Sequence, residues 1–181
     1  MQTNLIVIDD FYSNPYDVRD FALQQEFNIV GNYPGSRTVP LLNESTKEGL
    51  AEILYSSSGN VRNWNDDQYT GCFQICYETD KTWVHTDSFN TWSGIVYLTP
   101  DAPIEAGTTL YRHKRTGHMS DYGETYEPND YTKWEVTDHV GNIFNRLVLF
   151  RGDRWHAATS YFGNTLASGR LIQTFFITTE R

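Results

Sequence analysis

The sequence predicts a mainly β protein with helices near its N-terminus, and three observations support this fold class. From residue 69 onward, short segments rich in β-branched and aromatic residues alternate with turn residues, a pattern typical of an antiparallel sandwich or barrel. Apolar residues at helical spacing occur within the first 60 residues. Aromatic residues make up 15% of the 181 residues and charged residues only 20%, which favours a folded core over a disordered chain. The predicted strands lie around 69–77, 92–98, 107–112, 146–151 and 170–178.

The N-terminal part is predicted to contain one strand and two helices. Residues 1–10 are mostly apolar before an acidic end and are interpreted as a buried strand. Asn14 can cap a helix and Pro15 suits the first helical position, so a helix is predicted from there to about Phe27. The remaining predictions for this part are a turn at 33–36 and a second helix that begins near Ser45 and ends before 56–59.

No repeat, low-complexity tract or linker divides the chain, so we expect one domain over 1–181. Its length is sufficient for a proper hydrophobic core. Within it, 1–60 would supply a supporting strand and helices, and 69–178 would form the core.

The stretch 111–140 is polar, with scattered aromatic residues and little periodicity. Loops of this length are uncommon in compact domains and are often functional. The alternative is an insertion with one or two extra strands. Its aromatic residues would either cover the substrate as a lid or form a small core of their own; they are Tyr122, Tyr126, Tyr131 and Trp134.

Charge and cysteine content narrow the classes of partner. The chain has 14 Lys and Arg against 23 Asp and Glu, a formal net charge of −9, whereas nucleic-acid binding needs clustered Lys and Arg. No stretch approaches the roughly 20 apolar residues of a membrane span. Cys72 and Cys76 are too few for a disulfide framework or a zinc cage. We therefore expect a cytoplasmic protein with two buried cysteines and with neither a nucleic-acid nor a membrane partner.

One pair of polar residues points to metal chemistry. His85 and Asp87 are two positions apart in the segment 83–87, which is predicted to be an extended strand. Side chains at i and i+2 of an extended segment point to the same face, so this imidazole and this carboxylate can converge on one ion. A His-x-Asp pair alone is weak evidence for a metal site.

Two further residues follow in chain order. An apolar strand over 145–150 leads into a glycine-containing turn, and His156 lies just beyond it. Arg170 opens the next apolar strand, and a guanidinium seldom enters a protein interior without an anionic partner. That partner is either an internal carboxylate or the carboxylate of a ligand, held bidentately. Two histidines and one carboxylate on one face of an octahedron leave three positions open, as in non-haem iron(II) sites.

In this order, the four residues resemble the motif of the 2-oxoglutarate/iron(II)-dependent dioxygenase superfamily. The resemblance is nearest to its prolyl-hydroxylase-like branch and to that branch's uncharacterised phage and bacterial relatives, and it covers roughly 69–178. It implies a double-stranded β-helix core, the jelly roll also found in cupins.

Other segments share the resemblance. Residues 95–98 are similar to the family's Tyr-Leu strand, and 106–111 to its Gly-Gly-x-Thr segment, although Ala106 replaces the first glycine. Residues 145–150 look like the strand that leads to the distal histidine. Tyr77 precedes the His-x-Asp pair, as a tyrosine often does in that branch.

The resemblance implies a role for each residue. His85, Asp87 and His156 would be the catalytic residues and the iron(II) ligands. Arg170 would bind the distal carboxylate of 2-oxoglutarate, and Tyr77 would donate a hydrogen bond to the same carboxylate. An internal ion pair for Arg170 and simple core packing for Tyr77 are the alternatives. Molecular oxygen would be the second cosubstrate, and ascorbate is a further candidate cofactor.

The implied function is an iron(II)- and 2-oxoglutarate-dependent dioxygenase that hydroxylates an unidentified small-molecule or peptide substrate and releases succinate and carbon dioxide. Asp87 favours hydroxylation, because halogenases of this superfamily carry a small residue at that position. One alternative is a non-catalytic metal- or ligand-binding jelly-roll domain, against which the complete set of four residues counts. Another is a cupin-like isomerase or sugar-binding protein, whose sites usually carry more histidines in tighter clusters.

A few other side chains have two interpretations each. Arg37 is either an exposed turn residue or a residue at the mouth of the site that meets an anionic substrate. Trp83 either lines the pocket or packs in the core. The remaining histidines fit surface positions better than ligand positions; they are His113, His118 and His139.

Overall fold

The computed structural model describes residues 2–65, 68–121, 123 and 126–180. Tyr122, one of the aromatic residues named for the 111–140 stretch, lies outside the described residues. In chain order the elements are β1 (Leu5–Ile8), α1 (Pro15–Leu23), β2 (Ile29–Gly31), β3 (Tyr33–Arg37), α2 (Glu44–Ser58), β4 (Asn60–Asn63), β5 (Phe73–Cys76), β6 (Trp92–Tyr97), β7 (Thr108–His113), a 3-10 turn (Tyr131–Lys133), β8 (Trp134–Val140), β9 (Leu147–Arg151), β10 (His156–Ala158) and β11 (Arg170–Glu180).

Within the described residues, the strands form two antiparallel sheets. The larger sheet has the order β1-β9-β6-β11-β5-β3-β2, and β4 pairs with the end of β11. The smaller sheet has the order β10-β7-β8. This arrangement confirms the predicted mainly β class with an antiparallel sandwich.

The pleat of β11 explains how the larger sheet separates two environments. Leu171, Phe175 and Ile177 belong to a core cluster that also contains helix residues, whereas Arg170 and Phe176 line a cavity on the other face. Successive strand residues point to opposite faces, so one side of the sheet packs on the helices and the other faces the smaller sheet. The helices thus hold the larger sheet from behind while its front face stays available for a site.

Both helices occur where the sequence predicts them, with shifted ends. Helix α1 ends at Leu23 rather than near Phe27. Helix α2 begins one residue before Ser45 and continues through Ser58, three residues beyond its predicted end. It stops at Gly59, whose φ of 83° suits glycine.

The predicted turn at 33–36 is wrong, because these residues belong to strand β3, which pairs with β5. Gly35 lets the strand approach its neighbour: it has a φ of 66°, and a Cβ atom there would lie 1.9 Å from the carbonyl oxygen of Ile75. The buried strand predicted at 1–10 also needs correction. Strand β1 lies at the edge of the larger sheet, with Val7 42% exposed.

The second half of the 111–140 stretch is a regular strand. Strand β8 pairs with β7 along its length, so the interpretation as an insertion with an extra strand is confirmed. Trp134 is 4% exposed and packs in a small core cluster with Tyr111 and Trp155, with Tyr126 against it. Tyr131 is 39% exposed.

Cys72 and Cys76 are both buried and free, as expected. Burial raises the pKa of the Cys76 thiol to about 11. No helix in the described part of the chain is long and apolar enough to cross a membrane.

Candidate metal centre

The backbone brings His85 and His156 together. The two residues form an isolated antiparallel bridge, in which each N–H donates to the other's carbonyl oxygen at 2.9 Å. Their ring centroids are 4.3 Å apart. Because His156 opens strand β10, this bridge extends the smaller sheet by one residue pair. The strand predicted over 83–87 is therefore reduced to this single bridge.

Asp87 completes a three-residue cluster. Its Oδ1 lies 4.0 Å from Nε2 of His85, and its Oδ2 lies 3.3 Å from Nε2 of His156. One ligand atom from each residue lies within 4.8 Å of the other two. The Asp87 N–H donates to the carbonyl oxygen of Gly152 at 2.7 Å, which fixes this segment against the turn before His156.

Gly152 is required at that turn because the backbones approach closely. A Cβ atom at this position would lie 2.5 Å from the carbonyl oxygen of Asn90 and 2.7 Å from that of Asp87. Any larger residue would therefore push apart the two segments that carry the candidate ligands.

Hydrogen bonds set which ring nitrogen each histidine presents. His85 Nδ1 lies 3.0 Å from the carbonyl oxygen of Trp83, and His156 Nδ1 lies 2.9 Å from that of Arg154. A carbonyl oxygen can only accept, so each Nδ1 carries the hydrogen and the neutral ring presents a lone pair at Nε2. Both Nε2 atoms face the carboxylate of Asp87. Electron-rich atoms so arranged repel each other unless a proton or a metal cation lies between them.

The electrostatics of the cluster favour the forms that bind metal. Burial, and then the neighbouring imidazole of His156, lower the pKa of His85 to about 4, so its ring is neutral at pH 7. Burial alone would raise the pKa of Asp87, but His156, then His85 and a hydrogen bond from Ser93, outweigh it and lower that pKa to about 2. Metal ligands must be a neutral imidazole and an ionised carboxylate, so this donor set fits a divalent transition metal.

Arg170 lies in the same cavity as the cluster. Its side chain is 3% exposed, and Nε and Nη2 donate to the carbonyl oxygens of Ala106 at 3.2 Å and of Gly107 at 3.4 Å. Within the described ranges, it forms no ion pair with a carboxylate. The internal-ion-pair alternative is therefore not observed, and a buried guanidinium is left available for an anionic ligand.

The structure does not bring Tyr77 to this cavity. Its ring packs against the core cluster behind the larger sheet, and Gly169 provides the space for it. Tyr161 is the tyrosine that lines the cavity, with its ring centroid 5.8 Å from Cζ of Arg170. Burial raises the pKa of Tyr161, so its hydroxyl stays protonated and able to donate. No pattern in the sequence distinguishes Tyr161 from other loop tyrosines.

The cavity has a volume of about 660 Å³ and opens between the two sheets. Its wall includes Trp83 and Tyr126, so one aromatic residue of the 111–140 stretch does reach the site. The other three histidines lie elsewhere. His113 is buried against Trp134 rather than on the surface, contrary to expectation, with ring centroids 5.0 Å apart. His118 and His139 also lie outside the wall of this cavity.

Arg37 is not an exposed turn residue. It is 8% exposed, belongs to β3 and lines the cavity. Its Nε donates to Oε1 of Gln74 at 2.9 Å, and its Cζ lies 3.8 Å from the centroid of the Tyr33 ring. Of the two interpretations of Arg37, the structure supports the one at the mouth of the site.

No protein-family model and no curated protein matches the sequence. Solved structures do match it in fold. HygX from Streptomyces hygroscopicus, with nickel, 2-oxoglutarate and hygromycin B bound, superposes with a TM-score of 0.67 at 11% identity, covering 98% of this chain and 84% of that one. A prolyl hydroxylase from Trichoplax adhaerens, in complex with a hypoxia-inducible-factor peptide fragment, gives 0.59 at 15% identity, covering 97% and 84%.

A prolyl-4-hydroxylase from Pseudomonas putida gives a TM-score of 0.55 at 14% identity, covering 98% of this chain and 93% of that one. The chain has the fold of the 2-oxoglutarate/iron(II)-dependent oxygenase superfamily. The predicted double-stranded β-helix core is thereby confirmed. In that fold, the larger and smaller sheets are the two halves of the jelly roll, and the candidate metal centre lies between them.

Proposed function

We propose that the protein is a non-haem iron(II)- and 2-oxoglutarate-dependent dioxygenase that hydroxylates a small molecule or a peptide. The observation that carries this proposal is the Asp87 carboxylate facing Nε2 of two histidines, with Arg170 in the same cavity and without an acidic partner among the described residues. Two imidazoles and one carboxylate are the donor set that suits iron(II) with open positions. Enzymes that share the fold include one described with 2-oxoglutarate bound.

In this proposal His85, Asp87 and His156 hold iron(II), and Arg170 binds the distal carboxylate of 2-oxoglutarate. For a second contact to that carboxylate we propose Tyr161 in place of Tyr77, because Tyr161 lines the cavity. When bound, the metal and the cosubstrate would couple the oxidative decarboxylation of 2-oxoglutarate by molecular oxygen to substrate oxidation, with release of succinate and carbon dioxide. Ascorbate stays a prediction from the resemblance.

The chain itself supplies orientation and exclusion of water. The carbonyl oxygens of Ala106 and Gly107 fix the guanidinium of Arg170, so its charge is in place before a ligand arrives. The backbone bridge between His85 and His156 fixes both rings, and their Nδ1 hydrogen bonds keep each Nε2 free. Such preorganisation reduces the rearrangement needed on binding.

We also propose a cytoplasmic location, supported by the two buried free thiols, since stable thiols suit a reducing compartment. The net charge of −9 supports the expectation that nucleic acid is not a partner. The expectation of no membrane partner likewise stays a prediction.

The decisive experiment is a titration of anaerobic protein with iron(II) and 2-oxoglutarate, monitored through the visible charge-transfer band of the chelate. The wild type should develop the band. Asp87→Ala should abolish it, because a metal ligand is lost. Arg170→Ala should keep the band but require at least about tenfold more 2-oxoglutarate, since a charge-assisted bidentate contact is lost.

Two exposed residues outside the cavity provide matched controls. Asp20→Ala removes a carboxylate from α1, and Arg62→Ala removes a guanidinium that pairs with Glu180; both should behave as wild type. Absence of the band in a folded, metal-loaded wild type would refute the proposal and favour a non-catalytic ligand-binding jelly roll.

A further inference from the structure

Arg37 carries a charge that the proposed chemistry does not use. Its guanidinium is buried in the cavity wall, and within the described ranges it forms no ion pair. One of its five N–H donors is bound by Gln74, a neutral amide. A buried cation without an anion is unfavourable, so a guanidinium that lines a cavity with free N–H donors is suited to bind an anion there.

Two neighbours fix the position of Arg37. Gln74 accepts its Nε hydrogen while its own Nε2 donates to the carbonyl oxygen of Pro34 at 2.7 Å. The Tyr33 ring lies below the guanidinium at 3.8 Å, a cation–π contact. A guanidinium held in this way loses little side-chain freedom when it binds a ligand, which favours affinity.

With iron(II) and 2-oxoglutarate bound, the formal charges that line the cavity would balance except for that of Arg37. The charged residues among its described lining are Arg37, Asp87 and Arg170. Iron(II) with one carboxylate, and 2-oxoglutarate with one guanidinium, have formal charges of +1 and −1, which cancel. The positive charge of Arg37 is then uncompensated, although the chain as a whole has a net charge of −9.

Beside Arg37, the cavity mouth carries exposed apolar side chains. Phe176 lies 5.6 Å from the guanidinium carbon and stacks on Phe89, with ring centroids 5.5 Å apart. Phe89 is 58% exposed and Tyr69 is 37% exposed, and both line the cavity. Exposed apolar groups concentrated at one cavity indicate a binding surface. Here that surface continues directly from the guanidinium.

We propose that the substrate is a small molecule with an oxyanion, either a carboxylate or a phosphate, joined to an apolar ring. Arg37 binds the oxyanion, and the ring lies on Phe89 and Tyr69, which leaves the rest of the molecule beside the metal centre. A cavity of about 660 Å³ has the size of a small-molecule site. This inference rests on the proposed function, because it assigns the part of the cavity that the metal and 2-oxoglutarate would leave free.

The test compares each anionic ligand with an uncharged relative that carries the same ring. Protein is loaded with zinc(II), which is redox-inert, and with saturating 2-oxoglutarate. Calorimetry then measures the Kd of phenylacetate against phenylacetamide, and of phenyl phosphate against phenol. We expect at least one anion to bind about tenfold or more tightly than its neutral match, and the two pairs distinguish a carboxylate site from a phosphate site.

Variants assign that preference to Arg37. Arg37→Gln should abolish the difference between anion and neutral match while changing the Kd of 2-oxoglutarate less than about twofold. Arg37→Lys should retain part of it, since the charge remains without the planar fork. Phe89→Ala should weaken both members of each pair equally, and Arg62→Gln should change nothing.

Each contrary outcome has a distinct meaning. If the wild type shows no anion preference, the inference fails while the proposed function stands. If Arg37→Gln raises the Kd of 2-oxoglutarate instead, Arg37 binds the cosubstrate and the inference is overturned. If zinc(II) and 2-oxoglutarate do not bind at all, the proposed function fails, and the same comparison on metal-free protein still decides whether Arg37 selects anions.

Discussion

Ser93 shows at the scale of one residue how a side chain influences a site without joining its ligands. Its Oγ donates to Oδ2 of Asp87 at 2.8 Å, and its Oγ accepts a hydrogen bond from Nδ2 of Asn90 at 3.1 Å. Asn90 also donates to the carbonyl oxygen of Trp92 at 2.9 Å. The carboxylate is therefore oriented by a chain of hydrogen bonds that begins at the backbone of β6. Such outer partners of metal ligands affect affinity strongly.

Ser93→Ala should lower the affinity for manganese(II) about ten- to hundredfold, because the carboxylate loses the bond that fixes its rotamer. Calorimetric titration of the metal-free protein measures this directly. Ser13→Ala, an exposed serine before α1, is the matched control and should leave the Kd unchanged. An unchanged Kd in Ser93→Ala would show that the backbone alone orients Asp87.

Site residues could be predicted where a short local spacing places them, and not where contacts between distant parts of the chain do. The pairing of His85 with Asp87 is local, since the i, i+2 spacing of an extended segment is visible in the sequence. The depth of Arg37 is not local. It depends on the pairing of β3 with β5. The Pro-Gly dipeptide of β3 predicts a turn there instead of a strand. Ser93 and Tyr161 likewise reach the site through tertiary packing, for which the sequence carries no spacing signal.

At the scale of elements, both helices are preceded by an asparagine, but only one of the two asparagines makes a capping hydrogen bond. Asn43 precedes α2, and its Oδ1 accepts a hydrogen bond from the N–H of Thr46 at 2.8 Å. Asn14 precedes α1 and makes no such side-chain bond. The predicted capping role of Asn14 is therefore wrong, although Pro15 does occupy the first turn of α1. This pair of residues separates the effect of a capping bond from that of an asparagine at the same position.

Asn43→Ala should reduce the free energy of unfolding by about 1 kcal/mol, because one helix N–H loses its partner. Asn14→Ala should change it by less than about 0.5 kcal/mol, as for a surface substitution away from such a feature. Urea denaturation followed by circular dichroism measures both. Equal losses in the two variants would mean that the Asn43 bond contributes nothing beyond the cap position itself.

The strands divide into those that local sequence reveals and those that it does not. The N-terminal predicted strand corresponds to β1, and the five predicted from residue 69 onward correspond to β5, β6, β7, β9 and β11, which are rich in buried residues. Two strands that were not predicted lack that pattern: β4 is mostly exposed, and β8 is buried at its two ends only. Their strand geometry follows from pairing with β11 and β7. Propensity is a weak guide where a neighbouring strand decides the conformation.

At the scale of the whole molecule, the candidate site connects parts that are distant in the chain. His156 belongs to the smaller sheet and Arg170 to the larger one, while Asp87 lies in the segment that joins β5 to β6. A metal with 2-oxoglutarate bound there would link both sheets. The expectation that 1–181 is one domain stays a prediction, and a single cooperative unfolding transition is its consequence.

Binding across both sheets should raise the thermal stability of the whole chain. A ligand at 100 times its Kd stabilises the folded state by about 2.7 kcal/mol, which corresponds to a rise in Tm of roughly 5–10 °C for a chain of this size. Scanning calorimetry should show one transition that moves upward with manganese(II), and further with 2-oxoglutarate. Asp87→Ala should lose both increments, whereas Arg170→Ala should lose only the second, and Asp20→Ala should keep both. A rise in Tm that persists in Asp87→Ala would place the metal elsewhere in the folded chain and contradict the assigned centre.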